Sequence, residues 1–350
     1  MQPSNSNLTS RILIVGPAWV GDMVMAQSLF KKLRIDYPKS RLDVLAPAWT
    51  EPLLARMPEV SKAVMMPLGH GHFQLMTRWK IGKQLRRDKY TMAIVLPSSF
   101  KSALAPFFAN IRQRTGFLGE LRWGLLNDIR KLDKKLLPRT VDRFVALGDK
   151  NKIPVNNGKP EKPGRILQPK LVINEKNVRS VRERYKINNT PGPVLGLCPG
   201  AEYGPAKQWP AEYYADIARE KLAQGWQVWL FGSDKDVVVT KEINTLTQNQ
   251  CMDLSGKTSL ADAIDLMSCT DTIVTNDSGL MHVAAALDRK LIAIYGSTDP
   301  GFTPPLTDKA KIISLDLDCS PCFKRDCPLG HTKCLVDLKP ERVLTAMDNI

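Results

Sequence analysis

The chain has 350 residues, of which 43% are hydrophobic, 24% charged and 7% aromatic; this composition suits a globular protein of about two domains and excludes collagen, coiled coil and disorder. Residues 1–170 hold 30 Lys+Arg against 12 Asp+Glu (net +18), whereas residues 171–350 hold 20 against 23 (net −3). The strongly basic first half indicates an acidic partner: a nucleic acid, an anionic membrane surface or a phosphorylated substrate.

The hydropathy pattern gives no sign of a membrane span or an export signal. No run approaches the ~18 consecutive apolar residues that a span needs. The first ten residues are polar and lack the apolar core of a secretory signal. We therefore expect a cytoplasmic protein.

The first half predicts alternating strands and helices. Residues 11–17 form a β-branched apolar run that ends at Gly-Pro, which is typical of a buried parallel strand. Apolar residues then recur at helical spacing from Met23 to Leu33, until Tyr37-Pro38 ends the pattern. Further strands are predicted at Leu42 to Ala46, Ala63 to Met66 and Met92 to Leu96. This order is a βαβ rhythm.

A proline-rich stretch separates the two halves. Residues 151–170 contain four prolines and two glycines, a composition that disfavours both helix and packed strand. We predict a first domain over 1–170, with a linker from about 151, and a second domain over 171–350.

The second half repeats the rhythm. The predicted elements are Val194 to Cys198 (strand), Ala211 to Ala223 (helix), Gln227 to Phe231 (strand), Leu260 to Ser268 (helix), Thr272 to Thr275 (strand), Leu280 to Leu287 (helix), Leu291 to Tyr295 (strand) and a terminal helix over about 340–350. Two Rossmann-like α/β domains with parallel sheets are therefore predicted. Such sheets bind ligands outside the carboxyl ends of their strands, so we expect both to face an interdomain cleft.

One candidate catalytic residue follows the first strand. Asp22 ends the segment Gly-Pro-Ala-Trp-Val-Gly-Asp, which is not the G-x-G-x-x-G fingerprint of dinucleotide enzymes. A carboxylate at a helix start beside a cleft can accept a proton from a substrate hydroxyl. The alternative is that Asp22 only caps the helix.

A second segment, Thr-Asn-Asp-Ser-Gly-Leu-Met-His over residues 275–282, connects a strand to a helix. Backbone N–H groups at such a helix start, with the Ser278 hydroxyl and no Cβ at Gly279, can hold a diphosphate. His282 lies about one turn into the helix. The alternative is a capped helix with a buried histidine.

Two more loops follow strands of the second half. The loop over residues 198–210 is rich in Gly and Pro and carries Lys207, which could stabilise charge on a leaving phosphate. After Gly232, Asp234 or Asp236 could bind ribose hydroxyls. Asp234-Lys235-Asp236 also matches a weak metal-holding pattern, for which helix capping is the simpler explanation.

The chain resembles the bacterial heptosyltransferases that build the inner core of lipopolysaccharide. The resemblance lies in GPAWVGDMVMAQSL (16–29), PLGHG (67–71), LPSSFKSAL (96–104), GLLNDIR (124–130), CPGAEYGPAKQWP (198–210) and TNDSGLMHVAAAL (275–287). It spans nearly the whole chain, and several of these stretches are long and almost continuous.

The resemblance implies a GT-B fold and an inverting glycosyl transfer that requires no metal or other cofactor. The implied donor is ADP-heptose, and the implied acceptor is the first heptose of the Kdo2-lipid A core. By this resemblance Asp22 is the general base and Lys207 a catalytic, diphosphate-binding lysine. The implied donor site also contains Asp277, Ser278, Gly279, His282, Gly232 and one of Asp234 and Asp236.

The acidic acceptor explains the basic first half. Lys101, Arg112, Arg114 and Arg122 are the predicted acceptor contacts, as loop residues beside the cleft, although each could be an ordinary surface charge. We also expect peripheral contact with the anionic inner-membrane surface on its cytoplasmic side. His70 and His72 are too few to close a zinc site, and we interpret Gly69 to His72 as an acceptor-side loop.

Four of the seven cysteines lie in one segment near the C-terminus: Cys319, Cys322, Cys327 and Cys334, with His331 among them. Gaps of two, four and six residues allow four thiolates, or three with His331, to surround one structural zinc ion. The alternative is a set of packed free thiols, and disulfides are less expected in a reducing compartment.

Two other functions remain open at this stage. A related heptosyltransferase with a different acceptor position would share the donor motifs. A basic nucleic-acid-binding protein would explain the charge, but the sequence shows no RNP pattern and no recognition-helix motif, so we expect no nucleic acid.

Overall fold

The computed structural model describes residues 10–69, 72–149, 155–156, 159–160, 166–187 and 191–350. The chain divides into two compact units, Met1–Gln168 and Pro169–Ile350. Most of the predicted linker, and His70 of the predicted acceptor-side loop, lie outside the described residues.

The first unit is built on a parallel sheet. Its elements are β1 (Arg11–Val15), α1 (Val20–Asp36), β2 (Arg41–Pro47), α2 (Glu51–Leu54), β3 (Lys62–Met66), α3 (Leu75–Leu85), β4 (Met92–Val95), α4 (Leu104–Phe108), β5 (Gln113–Phe117), β6 (Asp128–Arg130), α5 (Thr140–Ala146), β7 (Val155–Asn156) and β8 (Lys159–Pro160). Six strands form the sheet in the order β3-β2-β1-β4-β5-β6. The two-residue strands β7 and β8 pair antiparallel inside the stretch that we predicted as a linker.

Burial explains why the central strands are apolar throughout. From Ile12 onward every residue of β1 is buried, because helices cover both faces of a parallel sheet and a one-sided polar pattern would leave polar groups in the core. β1 pairs with β2 on one side and with β4 on the other. Leu13 and Val15 pack with Val95 of β4 in one apolar cluster.

The second unit repeats this architecture. Its elements are α6 (Glu175–Arg184), β9 (Val194–Cys198), α7 (Ala211–Ala223), β10 (Gln227–Leu230), α8 (Val237–Leu246), β11 (Met252–Asp253), α9 (Leu260–Met267), β12 (Thr272–Asn276), α10 (Gly279–Ala286), β13 (Lys290–Ile294), β14 (Ala310–Ile313), α11 (Lys333–Val336) and α12 (Pro340–Asp348). Six parallel strands follow the order β11-β10-β9-β12-β13-β14. The predicted class, two α/β units with parallel sheets, is confirmed.

The strand orders locate the candidate sites. In the first sheet successive strands are added outward on one side from β1 to β3 and on the other side from β4 to β6, so the strand order reverses between β1 and β4. In the second sheet it reverses between β9 and β12. At such a reversal the loops after the two strands diverge and leave room for a ligand at the carboxyl edge. Of the helices that the structure describes, none has the length and apolar character to cross a membrane.

Candidate functional site

A buried ion pair lies at the carboxyl edge of the second sheet. Lys207, in the loop after β9, places its Nζ 2.6 Å from Oδ2 of Asp277, in the loop after β12. The side chains are only 14% and 5% exposed. Because β9 and β12 are neighbours at the reversal point, residues 70 positions apart meet there. The ammonium group is thereby fixed where a ligand of this sheet would bind.

One further side chain contacts this pair, and another connects the segments that carry it. The hydroxyl of Thr298, after β13, donates to the same Asp277 Oδ2 at 2.6 Å. The fully buried Asn276 amide donates to the Pro199 carbonyl at 2.6 Å and accepts from the Trp209 backbone N–H at 3.2 Å. The loops after β9, β12 and β13 are thus connected by side chains. These contacts hold the Asp277 carboxylate beside the Lys207 ammonium group.

Helix α10 begins next to the ion pair. Ser278 is its N-cap residue, but its side chain makes no capping hydrogen bond with the helix. The hydroxyl instead lies 3.4 Å from that of Thr275. The first-turn N–H groups, beginning at Gly279, therefore point toward the carboxyl edge without a side-chain cap, where the helix dipole favours an anion.

His282 is buried one turn further into α10, with 4% of its surface exposed. Burial lowers the pKa of its imidazole from 6.5 to about 4; the negative charge of Asp277 opposes this change and the positive charge of Lys207 adds to it. The imidazole is therefore neutral near pH 7. A role for His282 at a diphosphate would be that of a neutral hydrogen-bonding group, not a cation.

The two candidate ribose-binding residues, Asp234 and Asp236, both lie in the loop after β10 but in different environments. The Asp236 carboxylate accepts hydrogen bonds from the backbone N–H and hydroxyl of Ser233, both at 2.8 Å. A Cβ on Gly200 or Gly232 would lie within 2.7 Å of Asp236 side-chain atoms. The capping explanation of Asp236 is confirmed, and Asp234 is the more exposed of the two acids.

In the first unit, Asp22 follows β1 at the reversal point of the sheet. Trp19 is the N-cap residue of α1, and Asp22 is the third residue of the helix, so the interpretation of Asp22 as the cap is wrong. Its side chain is half-buried. The carboxylate lies in the first turn of α1, at the positive end of the helix dipole. Trp49 closes one side of this loop, because its indole N–H donates to the Ala18 carbonyl at 3.1 Å.

The four predicted acceptor residues separate into different environments. Lys101 lies in a short 3-10 turn after β4, at the same edge of the sheet as Asp22. Arg112 lies in the bend before β5 and Arg114 is the second residue of this strand, so both are at the opposite edge of the sheet; Arg114 donates to the carbonyls of Ile111 and Leu125. Arg112 is a loop residue as predicted, whereas the prediction of Arg114 as a loop residue is wrong, and neither lies at the carboxyl edge.

Arg122 is fully buried, which contradicts its predicted role as an acceptor contact. Its guanidinium donates to the Pro97 carbonyl at 2.7 Å and to the Phe117 carbonyl. Burial lowers its pKa to about 10. The arginine therefore joins the loops that follow β4 and β5. Its neighbours Leu121 and Trp123 are 72% and 61% exposed, so the local sequence gave no signal of this burial.

The cysteine-rich segment (residues 319–334) forms part of the second unit. Cys319, Cys322, Cys327 and Cys334 line a single cavity together with Ala206 and Ser297. In their present orientations, the His, Cys, Asp and Glu side chains of the described residues form no group of three or more that could hold a metal ion.

Sequence reasoning missed three contributors: Asn276, Thr298 and Tyr203. The Tyr203 ring lies under the Lys207 ammonium, 5.0 Å from Nζ to the ring centroid. The available signal for Thr298 was the run Gly-Ser-Thr-Asp-Pro directly after a strand. Small polar residues at that position mark the ligand edge of a parallel sheet.

The chain is similar to known proteins over most of its length. A family model described as glycosyltransferase family 9 (heptosyltransferase) matches residues 78–333. Lipopolysaccharide heptosyltransferase 2 of Salmonella typhimurium is 47% identical over 345 residues, which cover 97% of this chain and 98% of the relative. Lipopolysaccharide heptosyltransferase 2 of Escherichia coli K12 is 47% identical over 343 residues, with 97% of each chain covered.

A solved structure is similar along the whole chain. The structure of E. coli ADP-heptose lipopolysaccharide heptosyltransferase II is 44% identical, covers 97% of this chain and 98% of its own, and superposes with a TM-score of 0.84. The expected GT-B fold is thereby confirmed. With a family model over most of its length and relatives close to half identical, the chain belongs to glycosyltransferase family 9, the heptosyltransferases.

Proposed function

We propose that this chain transfers L-glycero-D-manno-heptose from ADP-heptose to the first heptose of the Kdo2-lipid A core, and so adds the second heptose of the lipopolysaccharide inner core. The names of the relatives support the heptosyl transfer and the lipopolysaccharide product. The observation that carries the mechanism is the buried Lys207–Asp277 pair beside the start of α10.

The donor end of the reaction uses the second unit. Lys207 has three N–H donors, and Asp277 engages only part of them, so the ammonium group can also donate to a phosphate oxygen. Backbone N–H groups at the start of α10 supply further donors. Together they stabilise the negative charge that develops on the departing diphosphate. In other glycosyltransferases a metal ion stabilises this charge. The proposed reaction therefore needs no metal.

The acceptor end uses Asp22. Its carboxylate removes the proton of the acceptor hydroxyl while that oxygen forms a bond to C1 of the donor heptose. The bond from C1 to the phosphate oxygen breaks on the opposite face, and ADP departs with the electron pair. Attack opposite to the leaving group inverts the anomeric carbon. The mechanism requires Asp22 and Lys207 to reach the same sugar in the reacting complex.

The acceptor is anchored in a lipid layer, and a surface of the first unit fits peripheral contact with it. Around the start of α3, Phe73, Leu75 and Met76 are exposed by 49%, 48% and 62%. Lys83 lies over the Trp79 ring, with its Nζ 3.9 Å from the ring centroid. Exposed aromatic and apolar side chains next to lysines are typical of surfaces that bind anionic bilayers. We propose that this surface rests on the cytoplasmic face of the inner membrane.

The central test is mass spectrometry of the product. Purified protein is incubated with ADP-heptose and a core acceptor that ends at the first heptose, and we expect a mass gain of one heptose. Fragmentation of the product locates the new sugar and separates this acceptor from another position of the core. Transfer that depends fully on added Mg²⁺ and stops with chelator would contradict the leaving-group chemistry.

Vesicle flotation tests the membrane contact. The protein should float with vesicles that contain anionic lipid and stay in solution with vesicles of neutral lipid. The double variant Trp79→Ala/Lys83→Ala should lose flotation and keep transfer to a water-soluble truncated acceptor. Equal flotation of variant and parent would remove α3 as the contact surface.

A further inference from the structure

The four cysteines of the cysteine-rich segment surround one small space. Residues from Cys319 to Cys334 are separated along the chain, yet all four cysteines line one cavity of about 20 Å³. A space of this size holds about one water-sized occupant. The remaining cysteines, Cys198, Cys251 and Cys269, lie elsewhere in the second unit.

The backbone turns directly after Cys327. The Gly330 N–H donates to the Cys327 carbonyl at 3.1 Å, and Pro328, Leu329 and Thr332 of this turn line the same cavity as the four cysteines. The segment therefore closes around the space that the cysteines border.

Cys334 borders the cavity from a different element. It is the second residue of α11, whereas Cys319, Cys322 and Cys327 lie in the loops before this helix. An ion bound by all four would therefore join the loops to the helix.

His331 is unsuited to be the fourth ligand. Its Nδ1 accepts a hydrogen bond from the Lys333 backbone N–H at 3.0 Å. An imidazole that accepts at Nδ1 in its neutral form carries its proton at Nε2, so neither nitrogen has a free lone pair for a metal. The set of four thiolates is therefore favoured over three thiolates with His331.

The segment also supports the loop that carries Lys207. The backbone N–H of Ala206 donates to the Arg325 carbonyl at 2.9 Å, and the Tyr203 hydroxyl donates to the Phe323 carbonyl at 2.8 Å. A Cβ on Gly204 would lie 2.6 Å from the Arg325 oxygen, so the two loops are in close contact. A force that fixes the cysteine-rich segment thus also fixes the neighbours of Lys207.

We propose that Cys319, Cys322, Cys327 and Cys334 together bind one divalent thiophilic metal ion, zinc or iron, and that this ion holds the cysteine-rich segment against the Lys207 loop. Each side chain has a single χ1 bond, about which the sulfur turns from its present orientation toward the cavity centre. Four thiolates in a tetrahedron are the ligands that zinc and iron take in proteins. The effect on the loop rests on the proposed function, whereas metal binding does not.

Metal analysis of protein purified without chelator is the first test. Elemental analysis should find about one zinc or iron per chain. Cys322→Ser should reduce this to near zero, whereas Cys269→Ser, outside the cluster, and His331→Asn should keep it. Protein that contains neither metal, with four freely reactive thiols or with disulfides in the segment, would overturn the proposal.

Cobalt substitution tests the ligand set in the parent chain, so the result does not depend on whether a variant folds. Co²⁺ exchanged into the protein should give the intense thiolate-to-metal absorption of a four-sulfur tetrahedral site, unchanged in His331→Asn. Absence of this absorption after reconstitution of reduced protein would overturn the four-thiolate set.

Kinetics test the connection to the Lys207 loop. On removal of the metal, KM for ADP-heptose should rise about tenfold while KM for the acceptor stays within about twofold. If the protein binds the metal but its KM for ADP-heptose does not change when the metal is removed, the connection to the loop would be refuted. A chain that binds the metal and transfers no heptose would refute the proposed function and leave the metal site intact.

Discussion

The two units share one strand order but differ at the edge where their ligands are expected. In the second unit the polar side chains at this edge are buried and bonded to one another, as Lys207 and Asp277 are. In the first unit the same edge carries the half-buried Asp22 beside the exposed rings of Trp19 and Trp49, which are 39% and 46% exposed. One edge is rigid before any ligand arrives, and the other is open.

This difference follows the sizes of the two proposed substrates. A nucleotide diphosphate is small and highly charged, and donors held in place bind it without the cost of reorganisation. A lipid-anchored oligosaccharide is large, and aromatic surfaces accept sugar rings with less demand on geometry. Identical topology therefore supports two kinds of recognition, because the loops after the strands and not the sheet determine the site.

The largest expected effect is at the open edge. Asp22→Asn keeps the size of the side chain but removes its basicity, so kcat should fall by about 10²- to 10⁴-fold. Asp36→Asn at the other end of the same helix is the control and should transfer heptose at the parental rate. The measurement is steady-state release of ADP. Near-normal turnover by Asp22→Asn would exclude it as the base.

At the rigid edge, breaking the ion pair should cost stability as well as activity. Lys207→Met leaves the Asp277 carboxylate buried with Thr298 as its remaining described partner, which should lower the free energy of unfolding by about 3 kcal/mol. Adding Asp277→Asn should restore most of this stability without restoring transfer. Urea denaturation and kcat of the single and double variants measure both effects. Recovery of activity in the double variant would exclude Lys207 from leaving-group stabilisation.

The buried His282 predicts a pH dependence of the second unit. Its folded-state pKa of about 4 lies below the value of 6.5 expected on unfolding, because burial disfavours the charged imidazole. Unfolding therefore takes up a proton between these values, and the contribution of His282 to stability is lost as the pH falls from 6.5 to 4, by up to about 3 kcal/mol. Urea midpoints of the parent and of His282→Asn should diverge in this range. Parallel pH profiles would contradict the lowered pKa.

The smallest effect on folding is expected at the open edge. Trp49→Ala should change the free energy of unfolding by only about 1 kcal/mol, since the residue is 46% exposed and makes a single described hydrogen bond. KM for the acceptor should nevertheless rise while KM for ADP-heptose stays constant. Val238→Ala, on an exposed face of the second unit, is the control. A changed KM for ADP-heptose in Trp49→Ala would contradict the assignment of acceptor binding to the first unit and donor binding to the second.

Much of the fold could be predicted, because buried parallel strands and amphipathic helices have plain patterns. The bounds of β9 and α7 agree with the prediction, and α1 lies where the spacing from Met23 to Leu33 indicated it. Strand β5 was missed, because Gln-Arg-Thr-Gly-Phe is polar and contains a glycine. Its partners in the sheet, and not its own propensity, make it a strand.

The candidate site was less predictable, because it depends on which strands are neighbours. The motifs identified Lys207 and Asp277 separately, but their contact requires β9 to lie beside β12. For the same reason Arg112 and Arg114 were assigned to the wrong edge, since nothing in the sequence marked the start of β5. The burial of Arg122 depends on carbonyls contributed by two distant loops.

The amide of Asn276 limits how this enzyme can be redesigned. Its nitrogen donates to Pro199 while its oxygen accepts from Trp209 and from the Tyr214 hydroxyl. Aspartate would bring two oxygens together, serine is too short, and glutamine would displace one loop. Attempts to change the nucleotide or sugar preference should therefore leave position 276 unaltered. They should begin at Tyr203 or Thr298, whose side chains border the same edge and make fewer hydrogen bonds.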